Sequence, residues 1–151
     1  MNLREARKED IEQMHKVRVA VKENPLPDPG LISANDYQDF MFHRGKGWVC
    51  EENDHIIGFA IVDLHGKNIW ALFVQPGHEG KGAGKKLHDK MMEWYFEQTD
   101  QPIWLGTAPN TRAEGFYTKA GWRKTGMRPN GEVRFEMTEA DWRQSNSKIA
   151  K

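Results

Sequence analysis

Hydrophobic and polar positions along the chain follow two periods, one typical of helices and one typical of strands. A weak alternation over residues 1–6 predicts a first strand. Apolar side chains recur at helical spacing over residues 11–21, and three prolines within residues 24–30 end that predicted helix. Ser33 or Asn35 is expected to cap a short second helix.

The middle of the chain predicts three strands in succession, over residues 47–52, 55–63 and 68–74. Asn53 and Asp54 lie between the first two strands and are typical of a tight hairpin turn. The third strand is almost wholly apolar, which favours a central position in a sheet.

The second half of the chain alternates helix and strand. The helical spacing of Leu87, Met91, Trp94 and Tyr95 predicts an amphipathic helix. Beyond it we predict a strand over residues 103–108, a helix over 111–119 stopped by Gly121, and two strands over 122–127 and 133–137. This order predicts one α/β domain with a mixed sheet over residues 1–144, followed by a polar tail over 145–151.

Composition narrows the class of protein. The chain has 151 residues, 38% hydrophobic and 29% charged, which is typical of a globular protein. Lysine plus arginine equals aspartate plus glutamate at 22 each, so the net charge gives no reason to expect nucleic acid or an anionic membrane as partner. Cys50 is the single cysteine, which excludes an intrachain disulfide and a cysteine-rich zinc site, and we expect no metal. No long apolar run or signal-peptide core is present, so a cytoplasmic location is expected.

A glycine-rich segment follows the third apolar strand. Gly80, Gly82 and Gly84 occupy three of five positions at the start of a predicted helix, and such backbone N–H groups bind phosphate oxygens well. Taken alone, the segment is also compatible with an ordinary turn. It does not fit a nucleotide P-loop, because Lys86 stands where that motif needs serine or threonine. It does not fit a Rossmann site either, since it follows half a domain rather than the first strand.

A second segment strengthens the phosphate hypothesis. It contains Asn110, Ala113, Phe116, Tyr117, Gly121 and Trp122. Together with Val74, Pro76 and the glycines, this pattern resembles the GCN5-related N-acetyltransferase (GNAT) family. The resemblance covers residues 68–122 and implies the GNAT fold, a mixed central sheet flanked by helices whose central parallel strands splay apart.

The resemblance implies an acetyl-CoA site. The pyrophosphate would lie on the backbone of Gly80, Lys81, Gly82, Ala83, Gly84 and Lys85. The pantetheine arm would pair with the strand at Phe73 and Val74, and the N–H of Val74 would stabilise the oxyanion. Asn110 would hold the pantetheine arm, and Tyr117 would protonate the departing thiolate as general acid.

Glu79 departs from the family pattern, which has arginine or glutamine there. Two interpretations stay open. Glu79 faces solvent and caps the helix N-terminus, where negative charge is favourable. Alternatively it weakens CoA binding, and Lys81, Lys85 and Lys86 compensate for it.

The general base is not identified by the sequence. Asn68, Leu105 and Gly106 occupy the positions where relatives carry a glutamate. The remaining candidates by element are Glu51, Asp63, His65, Glu132 and Glu136, each also readily explained as a surface group, so a water-mediated base is our default. Trp70 and Trp104 are interpreted mainly as core residues.

The resulting prediction is an acetyl-CoA-dependent N-acetyltransferase that acts by direct attack in a ternary complex. The acceptor is a primary amine of a small molecule, peptide or protein, and its identity is not given by the sequence. A homodimer is left open. The alternative is a non-catalytic acyl-CoA sensor or interaction module with the same fold.

Overall fold

The structure, a computed structural model, describes residues 1–21 and 32–150 of the 151-residue chain. The predicted proline-rich turn at residues 24–30 lies outside the described residues. The chain divides into two compact units, Met1–Tyr95 and Phe96–Lys151. Within the described residues, no helix is long and apolar enough to cross a membrane.

The first unit is built from four strands and helices on their flank. Its elements are β1 (Asn2–Glu5), α1 (Ile11–Ala20), α2 (Ala34–Gln38), β2 (Gly45–Glu52), β3 (His55–Asp63), β4 (Asn68–Val74) and the beginning of α3 (Ala83–Gln98). The strands follow one another in the order β1-β2-β3-β4, and each neighbouring pair is antiparallel. The predicted leading strand and the three following strands are confirmed.

Local chemistry explains two connections in this unit. Asn53 and Asp54 both have positive φ, 53° and 65°, as a two-residue hairpin turn requires. The side chain of Ser33 accepts a hydrogen bond from the Asp36 N–H, and the Asp36 carboxylate accepts one from the Ser33 N–H. This reciprocal capping starts α2 at the first of the two predicted positions.

The core of the first unit lies where α1 packs on the sheet. Met14 and Val17 of α1 contact a buried cluster that includes Phe59 and Ile61 of β3 and Ala71 of β4. The predicted helical spacing therefore faces the sheet, and burial of these side chains fixes α1 against β3 and β4.

The second unit contains three antiparallel strands and two helices. Its elements are β5 (Ile103–Thr107), α4 (Arg112–Lys119), β6 (Arg123–Met127), β7 (Val133–Met137) and α5 (Glu139–Ala150), with the strands in the order β5-β7-β6. Thr111 caps α4 by accepting the Glu114 N–H, and Gly121, with φ of 100°, ends it as predicted.

Helix α5 was not predicted, and it continues past the proposed boundary at residue 144. Its start is fixed by Thr138 and Asp141, whose side chains each accept a hydrogen bond from the other's backbone N–H. Trp142 is buried, and Arg123 holds the Asp141 carboxylate through contacts of 2.6–3.2 Å. The capping pattern Thr-x-x-Asp was the sequence feature that could have revealed this helix.

Candidate functional site

The glycine loop, residues 77–84, joins β4 to α3 and has a backbone that only glycine adopts easily. Gly77, Gly80 and Gly82 have φ of 93°, 81° and 90°. A Cβ built on any of the three meets no atom within 4 Å, so glycine is required by conformation and not by crowding. The loop therefore offers main-chain groups on an open surface.

Helix α3 starts inside this loop and adds donors to it. The Gly82 carbonyl accepts the Lys86 N–H at 3.0 Å, which is the first hydrogen bond of the helix. The N–H groups of the first helical turn, from Ala83 onwards, have no acceptor within a helix and carry the positive end of its dipole. Open glycines followed by these donors form an anion-binding arrangement.

The charged side chains of the loop and of the first turn of α3 pair with neighbouring groups of opposite sign or with the backbone. Lys81 lies 3.7 Å from a Glu52 carboxylate oxygen, and Lys85 lies 2.5 Å from Asp89. Glu79 is exposed, and its carboxylate accepts the Gly77 N–H at 2.7 Å. This Glu79 contact lies within the loop, before α3 begins. A ligand phosphate at Lys81 or Lys85 would have to compete with a carboxylate for the ammonium group.

The end of β4 presents one backbone donor away from β3. Gln75 donates its N–H to the Ile57 carbonyl at 2.7 Å, so these two residues form a hydrogen-bonded pair. The next pair along the ladder is Val74 with Gly58. Hydrogen-bonded and non-hydrogen-bonded pairs alternate in antiparallel ladders, so the Val74 N–H points away from β3. This is the orientation that the predicted oxyanion contact requires.

A cavity of about 340 Å³ adjoins the loop on the side of α1. Its lining includes Gln75 and His78 from the β4–α3 connection, Gln13 and Val17 from α1, and Ile57 from β3. The His78 Nδ1 is buried and has no hydrogen-bond partner among the residues that the structure describes. The cavity gives room, next to the loop, for a polar group that could satisfy this nitrogen.

Tyr117, the predicted general acid, lies on α4 in the second unit. It is 6% exposed and packs edge-on against Trp122 and Phe116, with Phe135 at a ring-centroid distance of 6.2 Å. Burial raises the pKa of the Tyr117 hydroxyl well above its ordinary value. The hydroxyl is therefore protonated throughout the neutral range, as a proton donor must be.

Asn110 precedes α4 and has a left-handed backbone, with φ of 61°. Its N–H donates to the Glu114 carboxylate at 2.8 Å, and that carboxylate also pairs with Lys124 at 3.1 Å. These two contacts, the Asn110 N–H first, lower the pKa of Glu114. Asn110 is thus held through its backbone, and asparagine is among the few residues that adopt this conformation readily.

Most of the candidate bases are tied to arginines. Contacts of 2.6–3.4 Å join Glu51 to Arg4, Asp63 to Arg44, Glu132 to Arg128 and Glu136 to Arg134, while His65 is exposed. The Arg4 contact lowers the pKa of Glu51, which makes this carboxylate a weaker base. Each of the four carboxylates would have to leave its arginine to accept a proton from the amine.

The contacts of Cys50, Trp70 and Trp104 are those of residues that stabilise the fold. Cys50 is fully buried on β2, and burial raises the pKa of its thiol, so it is a poor nucleophile. The Trp104 ring contacts the guanidinium groups of Arg128 and Arg134, whose carbons lie 5.0 and 4.6 Å from its centroid. Trp70 is partly buried against the core of the first unit.

One cluster in the first unit was missed by the sequence analysis. The Arg18 guanidinium carbon of α1 lies 5.2 Å from the Trp70 ring centroid and 4.9 Å from that of Phe73. The Arg18 guanidinium donates a hydrogen bond to the Tyr37 hydroxyl oxygen, which lies 2.9 Å from the Nδ1 of His15. The side chains come from α1, α2 and β4, so no local pattern in the sequence could have joined them.

Comparison with known proteins gives a family. The sequence profile of the Acetyltransferase (GNAT) family matches residues 11–122. The [ribosomal protein bS18]-alanine N-acetyltransferase of Haemophilus influenzae is 32% identical over 81 residues, which are 52% of this chain and 56% of that enzyme. The chain therefore spans little more than half the length of this relative.

Solved structures show the same fold. A GNAT-family acetyltransferase of Staphylococcus aureus Mu50 matches with a TM-score of 0.77 and 21% identity, over 91% of this chain and 98% of that one. The PaiA N-acetyltransferase of Thermoplasma acidophilum, solved in complex with coenzyme A, matches with a TM-score of 0.74 and 14% identity, over 91% and 98%. The predicted GNAT fold is confirmed.

Proposed function

The chain belongs to the acetyltransferase (GNAT) family, and we propose that it transfers an acetyl group from acetyl-CoA to a primary amine. The observation that carries this proposal is the course of the backbone after β4. A strand that ends with the Val74 N–H turned away from β3 runs into open glycines and then into the start of α3. Within one ligand, the end of such a strand can bind a thioester carbonyl, and the glycines with the helix start can bind a pyrophosphate.

We assign the pyrophosphate to the main chain from Gly80 to Lys85, which is the end of the glycine loop and the first turn of α3. Open backbone at Gly80 and Gly82 supports this assignment, because the absence of Cβ atoms lets phosphate oxygens approach the N–H groups. The strand at Phe73 and Val74 would pair with the pantetheine arm. Asn110 would hold the same arm through its side-chain amide.

The reaction is a direct attack. The amine nitrogen forms a bond to the thioester carbonyl carbon, and the oxyanion accepts the Val74 N–H. The C–S bond then breaks, and the thiolate takes the proton of the Tyr117 hydroxyl. The proton lost by the attacking amine passes to water, since the candidate carboxylates are held by arginines. The buried Cys50 argues against an acyl-enzyme intermediate.

A screen of primary amines with acetyl-CoA, detecting released CoA thiol, tests the proposal. We expect turnover with at least one amine and a dissociation constant for CoA that calorimetry can measure. Confirmed CoA binding without turnover of any amine would contradict acetyl transfer and would favour a non-catalytic acyl-CoA sensor. Failure to bind CoA would contradict both functions.

A further inference from the structure

Among residues 1–21 and 32–150, Arg18 has no carboxylate partner, unlike most of the arginines there. Its Nε and Nη1 are buried and have no hydrogen-bond partner within the described part of the chain. Six other arginines each contact a carboxylate: Arg4 with Asp10, Arg44 with Asp63, Arg123 with Asp141, Arg128 with Glu132, Arg134 with Glu136 and Arg143 with Glu139. For Arg18, no carboxylate among residues 1–21 and 32–150 takes this role.

A buried cation without a counter-charge is unfavourable for the folded protein. The rings of Trp70 and Phe73 compensate in part, because each presents its negative face to the guanidinium. The contact with Tyr37 adds one neutral partner. Desolvation nevertheless dominates and lowers the pKa of Arg18. Within the described residues, the guanidinium therefore keeps two donor nitrogens without an acceptor and a positive charge without a carboxylate partner.

The place of this charge in the first unit is informative. Phe73, whose ring lies 4.9 Å from the Arg18 guanidinium carbon, directly precedes Val74 in β4. The Val74 N–H is the group assigned above to the thioester carbonyl. Arg18 therefore lies beside the residue that directly precedes Val74, on the face of β4 that carries the Phe73 side chain, next to the strand end where the thioester is assigned.

We propose that Arg18 binds a carboxylate of the acceptor, so that the acetylated amine belongs to a small molecule carrying both an amino group and a carboxylate. This inference rests on the acetyl transfer proposed above. A carboxylate fits the paired N–H donors of a guanidinium, and it would give the buried Arg18 Nε and Nη1 the acceptor that the described residues do not supply. Arg18 is then a binding residue that selects the acceptor and takes no part in proton transfer.

Matched acids and amides test the preference. The amino acids that carry a primary α-amine are compared with their carboxamides as acceptors, and kcat/KM is expressed per free amine because the amide also lowers the pKa of the amine. We expect the best amino acid to exceed its amide about 10- to 100-fold in kcat/KM, as is typical when a hydrogen-bonded charged group is lost. In Arg18→Gln we expect this ratio to fall to near one, because KM for the acids rises. The kcat for the amides should be retained.

Two variants control for folding and for charge. Arg18→Lys keeps the positive charge but loses the paired N–H donors of the guanidinium. We expect its acid-to-amide ratio of kcat/KM to lie between those of the wild type and Arg18→Gln. Lys16→Gln removes an exposed cation from the same helix, 74% exposed and 3.5 Å from Glu12, and leaves the ratio unchanged. Equal kcat/KM for acids and amides in the wild-type protein would overturn the role of Arg18.

A binding measurement separates this inference from acetyl transfer itself. The Arg18 Nε–H resonance, identified by its absence in Arg18→Lys, is followed while CoA-bound protein is titrated with amino acids or their amides. We expect a shift of this resonance with acids and none with amides, whether or not turnover occurs. A shift of the resonance without turnover would contradict the proposed acetyl transfer but not the carboxylate site. If no acid shifts the resonance, the carboxylate site is contradicted.

Discussion

The glycine loop and the segment from Asn110 to Tyr117 are both assigned to acetyl-CoA, yet they are constructed in opposite ways. The loop is open, and three of its glycines have positive φ with no atom near the missing Cβ. Tyr117 is 6% exposed among aromatic rings, and Asn110 is fixed by Glu114. The first region works through its main chain and the second through particular side chains.

This difference determines what a substitution can do in each region. A main-chain site tolerates changes of side chain and is damaged by changes of backbone conformation. A side-chain site fails when one functional group is removed, even where the backbone is unaltered. We therefore expect chemistry to be lost in the Tyr117 region and affinity to be lost in the loop.

The largest expected effect is that of Tyr117→Phe. Removing the proton donor should lower kcat about 100-fold or more, with the Kd for CoA little changed. Steady-state kinetics and calorimetry measure the two quantities. Burial raises the pKa of Tyr117 above the ordinary tyrosine value of about 10. The pH profile of wild-type kcat should therefore show no loss from deprotonation of Tyr117 up to about pH 10.

Tyr95→Phe is the matched control for Tyr117→Phe. Tyr95 is also fully buried, and burial raises its pKa to about 12, but it lies on α3 and has no assigned role in the reaction. Its loss of a buried hydroxyl should leave kcat unchanged. Equal kinetic effects of the two variants would mean that Tyr117 acts through packing and is not the general acid.

The two regions also differ in how far the sequence could predict them. Positive φ at Gly80 and Gly82 is a local property of glycine, and the hairpin at Asn53 and Asp54 is equally local. The glycine-rich turn and the hairpin were predicted from the sequence because neighbouring residues determine them, although the φ values themselves were not. Side-chain roles such as that of Tyr117 came only from the family resemblance, and they stay predictions.

Features that depend on distant residues were not predicted. The Arg18 cluster joins α1, α2 and β4, and the register between β3 and β4 shifts at Ile61 and Val62, opposite Trp70. A strand pattern with a period of two does not reveal such an irregularity, and it changes which side chains share a face. Helix α5 was not predicted because its sequence is polar around Trp142.

Alanine at two glycines compares backbone requirements directly. Gly82→Ala forces an alanine to φ of 90°, which should cost about 1–2 kcal/mol and raise KM for acetyl-CoA. Gly115→Ala, inside α4 with open space around the added Cβ, should stabilise the protein by about 0.5–1 kcal/mol. Urea unfolding measures the change in the free energy of unfolding for each variant. Destabilisation by Gly115→Ala, with none by Gly82→Ala, would contradict the conformational requirement for glycine at residue 82.

Substitution of Asn110 separates its backbone from its amide. Asn110→Gly keeps the left-handed conformation and removes the side chain, so KM for acetyl-CoA should rise about five- to tenfold at nearly unchanged stability. Asn110→Ala should show the same KM and lose about 1 kcal/mol of stability as well. Unchanged KM in Asn110→Gly would remove Asn110 from the cofactor site and leave it a turn residue.

The smallest expected effect is that of Glu79→Gln. An amide oxygen can still accept the Gly77 N–H, so the loop keeps its conformation while one negative charge near the pyrophosphate disappears. We expect the Kd for acetyl-CoA to fall about twofold at low salt and less at high salt, as is typical of exposed charges. Glu93→Gln, an exposed change on α3, should leave the Kd unaltered. If Glu79→Gln lowers the Tm and leaves the Kd unchanged, Glu79 is a helix cap, and the loop binds its anion without repulsion from this carboxylate.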